Sequence, residues 1–225
     1  MTESLDSETW SQLNVVERAL RNGRIHEAER AAQNCVRCAT SLGEGAIALV
    51  YTRLSLLFRG RGGPAGVSLA LDFAHEALKL ASDCPEPHAT YARALFAAGR
   101  PAAALKHFDL AAAMYGAEFR ETSYERRTVL GEMCTAAIAC GRLRSAELAA
   151  KELLQWTPRD DSVACALALH HAGSTLLAVG KRREAATALT EALEALARRD
   201  ARLGRTSESG LETAVRTLLS RAVNE

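Results

Sequence analysis

Five glycines recur along the chain at nearly constant spacing, and this spacing is the feature that most restricts the fold. Gly23, Gly62, Gly99, Gly141 and Gly180 are separated by 39, 37, 42 and 39 residues. Each lies between two stretches whose apolar residues recur at helical spacing. A repeat of this kind indicates stacked helix pairs, because one short pair cannot bury its apolar faces alone. We therefore predict an all-α chain of about five helix hairpins followed by one C-terminal helix.

The clearest pair lies in residues 86–115, with Gly99 between its two helices. Gly99 can adopt the left-handed conformation that ends one helix, and Pro101 suits the first turn of the next. Apolar residues recur at helical spacing on both sides of this turn: Tyr91, Leu95 and Phe96 before it, and Ala104, Phe108 and Ala111 after it. The same helix–glycine–helix pattern indicates hairpins in the rest of the chain.

Composition agrees with a helical chain and excludes several other classes of protein. Hydrophobic residues make up 48% of the sequence but aromatic residues only 5%, and the predominance of Ala and Leu favours helices over sheets. The net charge is +1, from 28 basic and 27 acidic residues, so no overall field attracts nucleic acid or an anionic membrane. The preference for Arg over Lys and the richness in Ala are typical of a GC-rich, bacterial genome.

The sequence also predicts a location in the cytoplasm. The first ten residues have no basic start, apolar run or cleavage site of a secretory signal. No stretch reaches the roughly 18 uninterrupted apolar residues that a membrane span needs. Six cysteines without a signal favour free thiols in a reducing compartment.

The small residues of the hairpins carry a resemblance to a known family. Ala104-x3-Phe108-x2-Ala111 and Leu169-x2-Ala172-Gly173-x2-Leu176 are similar to the tetratricopeptide repeat pattern. The resemblance implies a right-handed α-solenoid with degenerate repeats over residues 9–204, after a polar tail (1–8) and before a C-terminal capping helix (205–225). The observed period exceeds the family's roughly 34 residues, and a HEAT-like stack, with a period of about 40–47 residues, is the structural alternative.

Side chains that could carry chemistry do not assemble into a recognisable site. Cys35 and Cys38 form a C-x-x-C, but no second cysteine pair follows at the spacing that zinc requires. His170 and His171 are adjacent, so their rings diverge on a helix, and His88 could approach His107 without a third ligand. Neither a nucleophile motif nor a phosphate-binding loop is present. We predict no catalytic residue, metal or cofactor, and therefore a protein that is not an enzyme.

Several clusters of arginine and lysine could in principle bind the phosphates of a nucleic acid. They lie at turns and helix ends, where cations favour the helix C-terminus and solvent, with acidic residues nearby and few aromatics to stack on bases. We interpret them as a solvated face: Arg59 with Arg61, Arg126 with Arg127, Lys181 to Arg183, and Arg198 and Arg199 with Arg202 and Arg205.

The resemblance also places a candidate binding surface. In tetratricopeptide solenoids the first helix of each pair lines the concave face, although the Lys and Asn set with which some members grip a carboxylate is missing here. Helical spacing on the first helices predicts a moderately apolar groove formed by Leu13, Glu17, Thr52, Leu56, Arg59, Glu86, Ala89, Arg93, Phe96, Thr135, Ile138, His170, Ser174 and Leu177.

These patterns support one function above its alternatives. We expect a cytoplasmic adaptor or scaffold whose groove binds a helical or extended segment of a partner protein. A regulatory domain that senses a peptide or small ligand is the alternative, and a nucleic-acid-binding repeat is the weaker one. The C-terminal helix is expected to cap the stack or to be exchanged with a second copy in a homodimer.

Overall fold

The structure, a computed structural model, describes residues 5–61, 63–118, 123–204 and 210–224. Within these ranges there are eleven α-helices and one 3₁₀ turn, Thr40–Leu42, and no strand. This confirms the predicted all-α class. Gly62 and Arg205 lie outside the described residues. The helices are α1 Ser7–Arg21, α2 Ile25–Ala39, α3 Glu44–Arg61, α4 Gly63–Leu80, α5 Pro85–Ala97, α6 Pro101–Glu118, α7 Ser123–Ala139, α8 Leu143–Trp156, α9 Val163–Ala178, α10 Arg182–Leu203 and α11 Gly210–Asn224.

Four hairpin turns share one backbone geometry, which explains the recurring glycines. At Gly99 the backbone has φ +72°, a left-handed conformation that glycine adopts without a steric penalty. The Gly99 N–H donates to the carbonyl of Phe96 at 3.0 Å, and the Arg100 N–H donates to that of Leu95 at 2.9 Å. This pair of bonds satisfies carbonyls that the helix end leaves open. The same bonds close the turns at Gly23, Gly141 and Gly180.

The residue after each of these glycines is basic and directly precedes the next helix. Its carbonyl accepts a hydrogen bond from the N–H of an alanine four residues later. That alanine is completely buried. A glycine, a basic residue and an alanine four residues later therefore specify both the turn and the packing of the second helix. The pairs are Arg24 with Ala28, Arg100 with Ala104, Arg142 with Ala146, and Lys181 with Ala185.

Helices α3 and α4 pack closely against each other. Gly63 has φ +58° at the start of α4. A Cβ on Gly66 would lie 2.7 Å from the carbonyl oxygen of Phe58, so the two backbones meet where only glycine fits. Further along, the Ser55 hydroxyl donates to the Ala70 carbonyl at 2.8 Å. This buried bond fixes one helix against the other.

Packing divides the chain into two compact units, Met1–Met114 and Tyr115–Glu225. In the first unit, α1 begins at Ser7, inside the tail predicted for residues 1–8. Asp6 caps it by accepting the Thr9 N–H at 2.8 Å, and Leu5 is buried. The core of this unit lies between α1, α2, α3 and α4 and contains Leu13, Val16, Leu20, Ala32, Val50, Leu54, Phe58 and Ala70.

The second unit has its core between α9, α10 and α11. Leu169 and Leu189 are almost completely buried there, with Val215 of α11 packed against them. A Cβ on Gly173 would lie 2.7 Å from the Leu189 side chain, which shows how closely α9 and α10 approach. Helix α11 therefore covers an apolar edge of the last helix pair.

Candidate functional site

The first helices of successive pairs leave an open groove in each unit. In the first unit it lies between α1 and α3 and has a volume of about 360 Å³. We call it the α1–α3 groove. Its floor is apolar, formed by Leu13, Leu56 and Leu57, and Trp10 stands at its edge with 45% of its surface exposed. The remaining lining residues are Asn14, Glu17, Arg53, Gly60 and Arg61.

Glu17 is the single acidic residue among those that line the α1–α3 groove, and it is already neutralised. Its Oε1 accepts from Nη2 of Arg21 at 2.8 Å and from Nη1 of Arg61 at 2.6 Å. These hydrogen bonds hold the pKa of Glu17 below its ordinary value. Arg53 lies on the same rim and makes no ion pair with any residue that the structure describes. The groove therefore has an apolar floor and a basic rim.

The second unit carries a groove of larger volume, about 570 Å³, between α7 and α9. We call it the α7–α9 groove. Three large apolar side chains line it while exposed to solvent: Tyr124 at 58%, and Val163 and Leu167 at 41% each. One Arg and one Glu balance each other in charge. The other lining residues are Arg127, Thr128, Gly131, Glu132, Thr135, Ala164, Ala168 and His171.

Two neighbouring arginines at this groove have different roles. Arg126 forms an ion pair with Glu152, and its guanidinium lies 4.1 Å from the centre of the Trp156 ring. It is therefore committed to packing between α7 and α8. Arg127 lines the groove, and its Nη1 is buried without a hydrogen-bond partner among the described residues. Such a donor is costly to leave unsatisfied.

The structure places the predicted groove residues in four different settings. Leu13, Glu17 and Leu56 line the α1–α3 groove, and Thr135 lines the α7–α9 groove. Thr52 and Ala89 are buried in the core instead, so a partner cannot reach their side chains. Arg59 is exposed beside the first groove, and the remaining predicted residues are half-buried: Glu86, Arg93, Phe96, Ile138, His170, Ser174 and Leu177.

The half-buried residues include an ion pair and an unpartnered ring nitrogen that the sequence did not indicate. Glu86 and Arg93 lie two helical turns apart on α5 and form an ion pair, with Nη1 of Arg93 3.3 Å from Oε1 of Glu86. His170 has a buried Nδ1 that lacks a hydrogen-bond partner in the described part of the chain. Burial lowers the pKa of His170, because an uncharged ring is easier to bury than a charged one.

Helical phase explains which groove residues the sequence analysis missed. On α3 the predicted stripe included Thr52, whereas the open face carries Arg53, Leu57 and Arg61, one residue further on. The buried residues Val50 and Leu54 could have fixed this phase. On α7 the open face carries Thr128, Gly131 and Thr135, and of the two residues predicted on this helix Thr135 lines the groove whereas Ile138 does not.

The predicted approach of His88 to His107 is present. Their Nδ1 atoms are 3.1 Å apart, and Nε2 of His88 is 3.0 Å from the Ser82 carbonyl oxygen. Because a carbonyl only accepts, His88 donates through Nε2, and His107 then donates to the Nδ1 of His88. Burial and the neighbouring His88 lower the pKa of His107. The described residues contain no group of three or more His, Cys, Asp or Glu placed to hold a metal ion.

The cysteine pair of α2 is also accounted for by packing. Cys35 is completely buried, and burial raises its pKa to about 12. Cys38 is half-buried and its pKa is also raised, first by burial and further by Glu8. Thiolates are the reactive and metal-binding form, so both cysteines are held in the unreactive form.

None of the described helices is long and apolar enough to cross a membrane. No family model matches the sequence, and no curated protein matches it.

Several solved structures are similar to this chain, and the similarity shows its fold. Nearly identical TPR-like repeats from Podosopora anserina match with a TM-score of 0.66 and 20% identity, covering 84% of this chain and 95% of that one. The MamA protein matches at 0.62 and 16% identity, covering 90% and 98%. PilW, a type IV pilus biogenesis factor, matches at 0.65 and 13% identity, covering 97% and 87%. The chain thus has the fold of a tetratricopeptide-type solenoid, as the resemblance implied.

Proposed function

We propose that the chain is a non-enzymatic scaffold of the cytoplasm that binds a helical or extended segment of a partner protein in its grooves. The observation that carries this proposal is that a groove with exposed apolar side chains recurs between first helices in both units. Exposed apolar surface of this kind is costly in water and marks surfaces that bind other molecules. Proteins with TPR-type repeats serve as interaction scaffolds in general, which supports the same reading.

The ion pairs of the chain support a protein partner over nucleic acid. Lys181 is paired with Glu147, and Arg202 with Asp161. Arg198 and Arg199 are likewise paired with Glu194 and Asp200. Phosphate binding would have to displace these carboxylates, and it would make no use of the apolar groove floors.

Helix α11 either caps its own chain or takes part in a homodimer, and the structure gives an observation relevant to each. Its packing on α9 and α10 of the same chain supports a cap. One face of α11 carries the exposed Val223, which a second copy could cover. Light scattering after size exclusion tests this part of the proposal, and a monomer at all concentrations contradicts it.

The main test uses paired substitutions in the α7–α9 groove and outside it. Leu167→Asp places a charge on the exposed groove wall, whereas Leu148→Asp places the same charge on α8, where the leucine is 61% exposed. Both leucines are already open to water, so neither change removes a buried contact. We expect Leu167→Asp to reduce partner capture from a cell lysate at least tenfold, with the loss of about 1.4 kcal/mol that this implies.

Photo-crosslinking gives the second measurement. A photoreactive amino acid at the exposed Thr135 should crosslink to a captured partner, and the same group at position 148 should not. Equal capture by wild type and Leu167→Asp, together with absence of a crosslink from position 135, would remove this groove from the proposed function.

A further inference from the structure

The α1–α3 groove differs from the α7–α9 groove in charge, and this difference points to the chemistry of its occupant. Arg53 and Arg61 line the groove, and Glu17 is the opposing acid. Arg21 also binds that carboxylate, so the positive charges outnumber the negative one. Arg59 is a further exposed cation, in the last turn of α3, and makes no ion pair with a described residue.

Some of the arginines of α3 are explained by their stabilising effect on the helix itself, but Arg53 is not. Cations near a helix C-terminus interact favourably with the helix dipole, and the effect is confined to the last turn. Arg59 and Arg61 lie in that turn. Arg53 lies two turns further inside α3, exposed and without an ion pair in the described chain. A solvated cation at an open groove edge is available to a carboxylate from outside.

The apolar floor of the α1–α3 groove indicates that its occupant also has an apolar side chain. Leu13 is buried, Leu56 and Leu57 are half-buried, and Trp10 covers one side with nearly half of its surface exposed. A volume of about 360 Å³ is at the small end of ligand pockets and suits one or two apolar side chains. Trp and Arg together are the side chains most often found at the energetic centre of an interface.

We propose that the α1–α3 groove binds an acidic, amphipathic segment of a partner protein, with an apolar side chain against Trp10 and a carboxylate paired with Arg53. This inference rests on the proposed scaffold function and specifies its partner. A nucleic-acid phosphate would satisfy the arginines but would leave the leucine floor exposed. A basic segment would meet uncompensated like charge on the rim.

The test is a selection that needs no guess of the partner's sequence. A random dodecapeptide library displayed on phage is selected on the immobilised full-length chain, in parallel on wild type and on Arg53→Glu. We expect peptides from wild type to be enriched in Asp and Glu around an apolar residue, and we expect this enrichment to disappear on Arg53→Glu. Arg30→Glu, on exposed Arg30 of α2, is the matched control and should select the same peptides as wild type.

Fluorescence of Trp10 measures binding to the groove directly. The chain has two tryptophans, so Trp156→Phe leaves Trp10 as the single reporter. A selected acidic peptide should shift the Trp10 emission, bind at least tenfold more weakly to Arg53→Glu, and weaken with salt. Labelled peptide anisotropy on the otherwise unchanged chain gives the same affinity if Trp156→Phe proves unstable.

Three results would overturn the inference. Selected peptides without acidic enrichment would do so, as would acidic peptides that leave Trp10 emission unchanged. Equal binding of oligothymidylate and the acidic peptide, both abolished by Arg53→Glu, would show an anion site without protein specificity. The scaffold function is judged by different measurements, namely partner capture by Leu167→Asp and crosslinking from position 135 in the α7–α9 groove.

Discussion

The two units build the same kind of groove from the same kind of helix hairpin, yet the grooves differ in chemistry. The α1–α3 groove has a basic rim and one tryptophan, whereas the α7–α9 groove is balanced in charge and has Tyr124, Val163 and Leu167 on its walls. The glycine turns and buried alanines are alike in both units. Repetition therefore fixes the framework, and the groove side chains vary independently of it.

The largest expected effect tests whether the two frameworks are equivalent. Phe58 of the first unit and Leu169 of the second are both almost completely buried. Phe58→Ala should destabilise by about 3–5 kcal/mol and Leu169→Ala by about 2–5 kcal/mol, because each leaves a cavity in a packed core. Urea denaturation followed by circular dichroism measures both.

Leu148→Ala is the control for this pair, because Leu148 is 61% exposed. Its stability should stay within about 0.5 kcal/mol of wild type. A loss below about 1 kcal/mol for either core variant would show that one unit is loosely packed, and the comparison between frameworks would fail.

A second pair of substitutions compares the helix contacts. Gly66 meets the backbone carbonyl of Phe58, whereas Gly173 meets the Leu189 side chain, which can move. Overpacking costs about 1–3 kcal/mol, and an alanine in a helix regains up to about 1 kcal/mol. We expect a net loss for Gly66→Ala and a smaller one for Gly173→Ala in thermal or urea unfolding.

Gly60→Ala provides the internal reference for these glycines. Gly60 lies in α3 with nothing within 4 Å of the added Cβ. The substitution should stabilise the chain by about 0.5–1 kcal/mol through helix propensity alone. If Gly66→Ala stabilises as much as Gly60→Ala, the close approach of α3 and α4 is not needed.

Removing the negative charge of Glu17 should increase the difference in affinity for an acidic peptide between the two grooves. Glu17→Gln removes the acid that Arg21 and Arg61 share, so both arginines become available to an acidic peptide. We expect the affinity of the α1–α3 groove for such a peptide to rise by roughly threefold at low salt. Glu132→Gln, in the other groove, should leave this affinity unchanged.

The smallest expected effect is a loss of stability on acidification in both units. The pKa values of His107 in the first unit and His170 in the second are lowered from 6.5, chiefly by burial. The unfolded chain therefore takes up protons before the folded chain does, and stability falls as the pH drops below about 6.5. Urea midpoints at pH 7.5 and pH 5.5 should differ less in His107→Gln and His170→Gln than in wild type.

His26→Gln is the matched control for the histidines, because the His26 side chain is fully exposed. Its response to pH should equal that of wild type. If neither buried histidine changes the pH response, their burial does not matter to folding.

Local patterns made the fold predictable, whereas the grooves depend on contacts between distant residues. Gly99 and Pro101 mark a turn by their own backbone preferences, and the following alanine marks the helix contact. Thr52 was predicted on the open face but is buried, because the neighbouring helices decide which face of α3 is covered. The unpartnered Nη1 of Arg127 also depends on its surroundings, and no signal in the sequence predicts it.

The glycine turns have a consequence for how such a chain changes over evolutionary time. Each is closed by hydrogen bonds within its own backbone, so no groove side chain takes part in holding it. Mutations on the groove walls can therefore accumulate without loosening the hairpins, and a lineage can change the chemistry of its grooves while keeping the same helical framework.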